Sequence, residues 1–116
     1  MSAALSIETV KSQANGLSYR NQAFIGGKFV AAASGKTFDC VSPIDGKVLT
    51  QVAACDKEDV DRAVKAARAA FEDGRWSRQA PARRKKVLLR WADLLEKHAT
   101  ELALLETLDM GKPIGD

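Results

Sequence analysis

The chain has 116 residues, 46% of them hydrophobic and 28% charged, a balance that excludes intrinsic disorder and fibrous repeats and fits one soluble globular unit. No apolar run approaches the roughly 20 residues that a membrane-spanning helix needs. The net charge of +3 is too small to imply nucleic acid until the basic residues have been located.

Residues 1 to 22 carry no sustained period and include Asn15, Gly16 and Asn21. They read as a mobile arm with at most a short helix. Glu8, Lys11 and Arg20 interrupt any apolar core that a secretory signal would require, so the expected location is the cytoplasm. Cys40 and Cys55 have no CxxC or Cys/His spacing and read as reduced thiols.

From Ala23 onward short β-prone runs appear. Phe24-Ile25 and Phe29-Val30 flank Gly26-Gly27, a pair suited to the positive φ angles of a tight hairpin. After the break at Ser34-Gly35-Lys36, Thr37 to Val41 suits a pleated surface. Ser42-Pro43-Ile44-Asp45-Gly46 is a strong turn, which predicts that Lys47 to Ala53 folds back antiparallel as a second hairpin. The hairpins together occupy residues 23 to 55.

At Asp56 the period lengthens to that of a helix, predicted over 56 to 74. Val60, Ala63, Val64, Ala67, Ala70 and Phe71 share a face, and Glu58/Arg62 and Asp61/Lys65 are spaced to pair on the other. Asp56 is placed to cap the start, and Gly74 to end the helix in the left-handed conformation. A second helical stretch, 80 to 112, opens at Pro81 and carries Leu88, Trp91, Leu95, Leu102 and Leu105. Gly111 and Pro113 stop it, and its length predicts a break near 98 to 100.

Charge is unevenly spread along this stretch. Residues 75 to 90 hold seven basic groups and no acidic one, whereas Trp91 to Asp116 holds six acidic groups against two basic. A basic helix start opposes its own dipole, so packing must hold it. Two hairpins cannot cover the apolar stripes of two or three helices, and the expectation is an incomplete domain.

The order and spacing of several strings carry a resemblance. Phe24-Ile25-Gly26-Gly27-Lys28-Phe29, Val41-Ser42-Pro43-Ile44-Asp45-Gly46-Lys47-Val48, Asp59-Val60-Asp61-Arg62-Ala63-Val64, Pro81-Ala82-Arg83-Arg84 and Leu105-Glu106-Thr107-Leu108-Asp109-Met110-Gly111-Lys112-Pro113 resemble the aldehyde dehydrogenase superfamily over residues 23 to 116. The run is most similar to the γ-glutamyl-γ-aminobutyraldehyde and betaine-aldehyde type enzymes. The fold that this implies is α/β: two β-hairpins and two or three α-helices forming the N-terminal portion of a Rossmann-like cofactor-binding domain.

The resemblance further implies an NAD(P)-dependent enzyme that oxidises an aldehyde to a carboxylate. In such enzymes a cysteine thiolate attacks the aldehyde, hydride passes to nicotinamide, and a glutamate-activated water hydrolyses the thioester. None of the strings here carries those groups, and no GxGxxG joins a strand to a helix. The segment is therefore expected to be inactive alone and to bind neither NAD nor NADP by itself. Its expected partners are the rest of a dehydrogenase chain and homo-oligomer subunits, with no nucleic acid and no membrane. The alternative is a non-enzymatic remnant that docks on intact dehydrogenase subunits.

One family feature maps onto residues present. Backbone carbonyls of Cys40 and Val41, with the carboxylate of Asp109, match a partial monovalent-cation site; many members have Thr where Cys40 stands. Against these readings stand plainer ones. Neither cysteine has a base nearby in sequence to make it a nucleophile. His98 lacks an i+4 metal partner and suits packing or capping. A solvated face explains the basic run at 75 to 90, and a helix-end Asp109 suits structure better than general-base work.

Overall fold

The computed structural model describes residues 6 to 115. The first five residues of the expected N-terminal arm lie outside them. Helix α1 (Ile7–Asn15) precedes two hairpins, β1 (Ala23–Ile25) with β2 (Lys28–Val30) and β3 (Thr37–Val41) with β4 (Val48–Ala53). Helices α2 (Lys57–Glu72), α3 (Pro81–Lys97) and α4 (Ala99–Met110) follow.

Local chemistry accounts for each boundary. Ser6 caps α1 by accepting the N–H of Thr9, and α1 then packs against α4. Gly26 and Gly27 adopt φ of 60° and 81°, which lets β1 reverse into β2 in two residues. In the second hairpin the Gly46 N–H donates to the Ser42 carbonyl at 2.9 Å, closing the turn through Pro43. The ladder then shifts register between Cys40 and Val41. Such a bulge turns the end of a strand and redirects its side chains.

Asp56 caps α2 by accepting from the Glu58 N–H. Asp59 reaches back to the Asp56 N–H at 3.2 Å, completing a reciprocal cap. The other oxygen of Asp59 accepts the N–H of Ala33 at 2.9 Å, and the side chain is 1% exposed. This carboxylate fastens the connection after β2 to the start of α2.

The face that α2 turns toward the first hairpin is therefore Asp59, Ala63 and Ala66, which are buried or half-buried. Val60, Val64 and Phe71, read from sequence as part of the same buried stripe, stay exposed. Small alanines and a capped aspartate allow close approach to the hairpin, whereas bulky Val and Phe do not fit under it. The expected Glu58/Arg62 and Asp61/Lys65 pairs are replaced by Lys57–Asp61 at 2.6 Å and Arg62–Asp59 at 3.7 Å. Arg62 lies one turn from Asp59, at i,i+3 spacing on the same helix face.

The long second stretch folds as two helices, with His98 ending α3 and opening α4. Gly111 ends α4 at φ 78°, a left-handed cap that L side chains adopt at a cost. Little of the chain is enclosed. Ala32 and Leu104 are its buried hydrophobic residues among those described, whereas Leu88, Trp91 and Leu95 of α3 are all exposed. The radius of gyration, 18.0 Å, exceeds the roughly 13 Å of a compact chain of this size. The elements form an open layer 19 Å thin, with apolar helix faces bare.

Candidate functional site

The second hairpin and α4 come together at one corner. The Cys40 Sγ–H donates to Asp109 Oδ1 at 3.1 Å, joining residues 69 apart in sequence. Two local features aim this contact. The bulge at Cys40/Val41 bends the end of β3, and the Gly111 cap seats the end of α4 beside Pro43, where an added Cβ would lie 3.4 Å from the proline ring.

A cleft of ≈ 590 Å³ opens beside this pair. Tyr19, Leu49 and Cys40 line it together with the acidic residues Glu101, Glu106 and Asp109. The hydrogen bond to Asp109 raises the Cys40 thiol above its ordinary pKa, helped by partial burial and by the carboxylate's charge. A thiol held in its protonated form in this way is a poorer nucleophile than an ordinary cysteine at the same pH.

Of the three residues matched to a cation site, the structure brings two side chains, Cys40 and Asp109, into contact. Val41 follows Cys40 on β3, with its side chain exposed. Hard cations take oxygen ligands, so the Cys40 thiol that Asp109 holds is not itself a ligand for one. Among the described residues, no three His, Cys, Asp or Glu side chains cluster as metal ligands.

The described residues do not fit a dinucleotide. Their one strand-to-helix junction runs from β4 to α2 through Ala54-Cys55-Asp56, without glycine. It places Asp56, Glu58 and Asp59 in and before the first helical turn. A phosphate needs free N–H groups at a helix start, and here the Asp56 side chain takes the Glu58 N–H while all three carboxylates repel the anion.

The remaining candidates have plain roles. Cys55 is exposed. His98 Nδ1 lies 3.1 Å from Glu101 Oε2 at the junction of α3 and α4. In the basic run, Arg75 pairs with Asp73 at 2.6 Å, which holds that carboxyl below its usual range through hydrogen bonds from Arg75. Arg78 donates to the Glu72 carbonyl at 2.6 Å. These contacts tie the loop after α2 to its end.

Sequence reasoning missed two contacts. It treated Cys40 as a carbonyl donor whose side chain was idle, and nothing local signals a partner 69 positions away. It also passed over Asp59, although an acid three residues after the capping Asp56 is the spacing of a reciprocal cap.

The sequence pattern of the aldehyde dehydrogenase family matches residues 29–116. The chain belongs to the aldehyde dehydrogenase family. The aminoacetaldehyde dehydrogenase of Pseudomonas aeruginosa is 53% identical over 114 residues, which cover 98% of this chain and 23% of that enzyme. The crystal structure of γ-glutamyl-γ-aminobutyraldehyde dehydrogenase from Burkholderia cenocepacia matches 97% of this chain and 23% of its own, at 54% identity and a TM-score of 0.94. An indole-3-acetaldehyde dehydrogenase of P. syringae, solved with NAD+ and IAA, matches 94% of this chain and 22% of its own, at 57% identity and a TM-score of 0.91. This family member therefore spans about a quarter of the length of the relatives it matches. Its α/β arrangement of hairpins and helices is that of the corresponding part of those enzymes.

Proposed function

We propose that this chain is the N-terminal scaffolding part of an NAD(P)-dependent aldehyde dehydrogenase, and that it has no catalytic activity of its own. One observation carries this reading. The helices present bulky apolar faces, Val64 on α2 and Trp91 on α3 each 60% exposed, on a chain that spans about a quarter of the length of the dehydrogenases it matches. Exposed faces of this size on neighbouring helices call for a covering body.

In the whole enzyme, bound NAD or NADP would accept the hydride as the aldehyde becomes a carboxylate. This segment's share is mechanical. Its hairpins and capped helices hold apolar faces in position for the cofactor-binding sheet. The Cys40 and Val41 carbonyls and the Asp109 carboxylate supply part of a monovalent-cation site at the hairpin–α4 corner. The cytoplasm is the proposed location, and other dehydrogenase subunits are the proposed oligomer partners.

The test is direct. The purified 116-residue chain is incubated with NAD+ or NADP+ and several aldehydes while reduced nicotinamide is followed by absorbance. No turnover above background is expected. Aldehyde-dependent reduction would overturn the claim that the chain is inactive.

A further inference from the structure

Helix α3 (Pro81–Lys97) carries one residue that its neighbours do not explain. At 3.6 residues per turn, positions 84, 88, 91 and 95 fall on one line along the helix. Leu88, Trp91 and Leu95 make that line apolar and are exposed, yet Arg84 stands at its head. Arg84 is also the half-buried exception on a helix that is otherwise exposed. Among the described residues it has no ion-pair partner within 4.0 Å and no side-chain hydrogen bond, in contrast to Arg62, Arg75 and Arg78.

A body that covers Leu88, Trp91 and Leu95 must also cover the base of Arg84, because the four side chains share one line. A covered guanidinium without a partner is strongly unfavourable, and its planar donor fork fits a carboxylate. The neighbouring basic residues differ: Arg83 and Arg90 sit roughly 100° or more around the helix from Arg84 and can remain hydrated.

We infer that Arg84 is a docking anchor that pairs with a carboxylate on the body covering α3, and that this body is the remaining part of a dehydrogenase subunit. The occupant follows from the relatives. The Burkholderia enzyme holds the same hairpins and helices at a TM-score of 0.94, and these make up 23% of its chain. This inference rests on the scaffolding reading above and adds to it the chemistry of the contact. Arg84 is a positioning residue, since it touches no reacting group.

The experiment uses a full-length hybrid in which residues 1 to 116 replace the matched quarter of the Burkholderia enzyme, in a Trp76→Phe background so that Trp91 reports its own burial among this segment's tryptophans. The hybrid is expected to be folded, with Trp91 protected from iodide quenching relative to the 116-residue chain. Arg84→Met, which keeps helix propensity and apolar bulk, should lower its melting temperature by about 5 °C or more. Arg84→Lys should recover part of the loss, and Arg83→Met should change little. In the isolated 116-residue chain, Arg84→Met should have no destabilising effect.

The opposite sign would overturn the anchor. If the carboxylate is absent, Arg84→Met extends an apolar line under its cover, and the melting temperature holds or rises. A hybrid that fails to fold with Arg84 intact would instead overturn the scaffolding reading beneath it. A dimer of the isolated chain with Trp91 already protected would place a second copy on the line and overturn the choice of occupant.

Discussion

Asp59 on α2 accepts the backbone N–H of Ala33 at 2.9 Å, and so ties the connection after the first hairpin to the first turn of the helix that follows the second. The same carboxylate satisfies the Asp56 N–H and faces Arg62. A buried carboxylate is costly unless its oxygens are matched by donors, and here each oxygen has one. The contact converts a local helix cap into a tertiary fastening.

Asp59→Ala is therefore predicted to be among the most damaging single changes in the chain. It strands two N–H groups and frees the connection after β2, a loss of about 1 to 3 kcal/mol. Amide exchange at Ala33 and through the first turn of α2 should quicken. Unchanged protection at Ala33 would show that the connection is held elsewhere.

The turns were the most legible part of the sequence. Gly26-Gly27 and Pro43 to Gly46 announce reversals because each supplies a backbone conformation that few other residues adopt. Helix periods were equally plain, since Val60 and Val64 or Leu88 and Trp91 repeat at helical spacing. Which side of α2 would be covered was not legible. Val60-Val64 is the more apolar edge, yet the Asp59-Ala63-Ala66 edge meets the hairpin, because close approach there depends on small size and on a tertiary hydrogen bond. The pairing of Cys40 with Asp109 was hidden for a similar reason: each lies in an ordinary local setting, and chain topology alone brings them together.

Cys40 should be a slow thiol. Its hydrogen bond to Asp109, with burial and the nearby charge adding to it, raises its pKa, so the reactive thiolate is scarcer than for an ordinary cysteine at the same pH. In a Cys55→Ser background, Asp109→Ala should increase the rate of iodoacetamide labelling at pH 8 several-fold. Equal rates would show that the carboxylate does not hold the proton. The sign for stability follows: a raised folded pKa means the contact contributes fully below the ordinary thiol pKa of about 8.5 and is lost as pH climbs through the raised value.

Gly111→Ala should unravel the end of α4. Gly111 sits at φ 78°, and a Cβ there would press on Pro43 at 3.4 Å. The left-handed conformation costs an L residue about 1 to 2 kcal/mol. Exchange of the amides in the last turn of α4, and loss of the Asp109 effect on Cys40 labelling, would report it. An unaltered last turn would show that packing against the second hairpin suffices.

The bare helix faces should bind a hydrophobic dye. Trp91→Ser and Val64→Ser are each predicted to reduce anilinonaphthalene sulfonate fluorescence with the purified chain, because they remove bulk from exposed apolar lines. Substitution of the buried Leu104 should act in the reverse direction, by loosening the small core. Dye binding unaffected by either surface change would locate the apolar patch elsewhere.

Whether α3 awaits a covering body can be read from hydrogen exchange along it in the 116-residue chain, since that helix is exposed along almost its whole length. Weak protection is expected from Val87 to Leu95, lower than at Asp59 and Leu104, with no shared cooperative transition. A monomer in which α3 is protected to the level of global unfolding, and melts together with the hairpins, would contradict it.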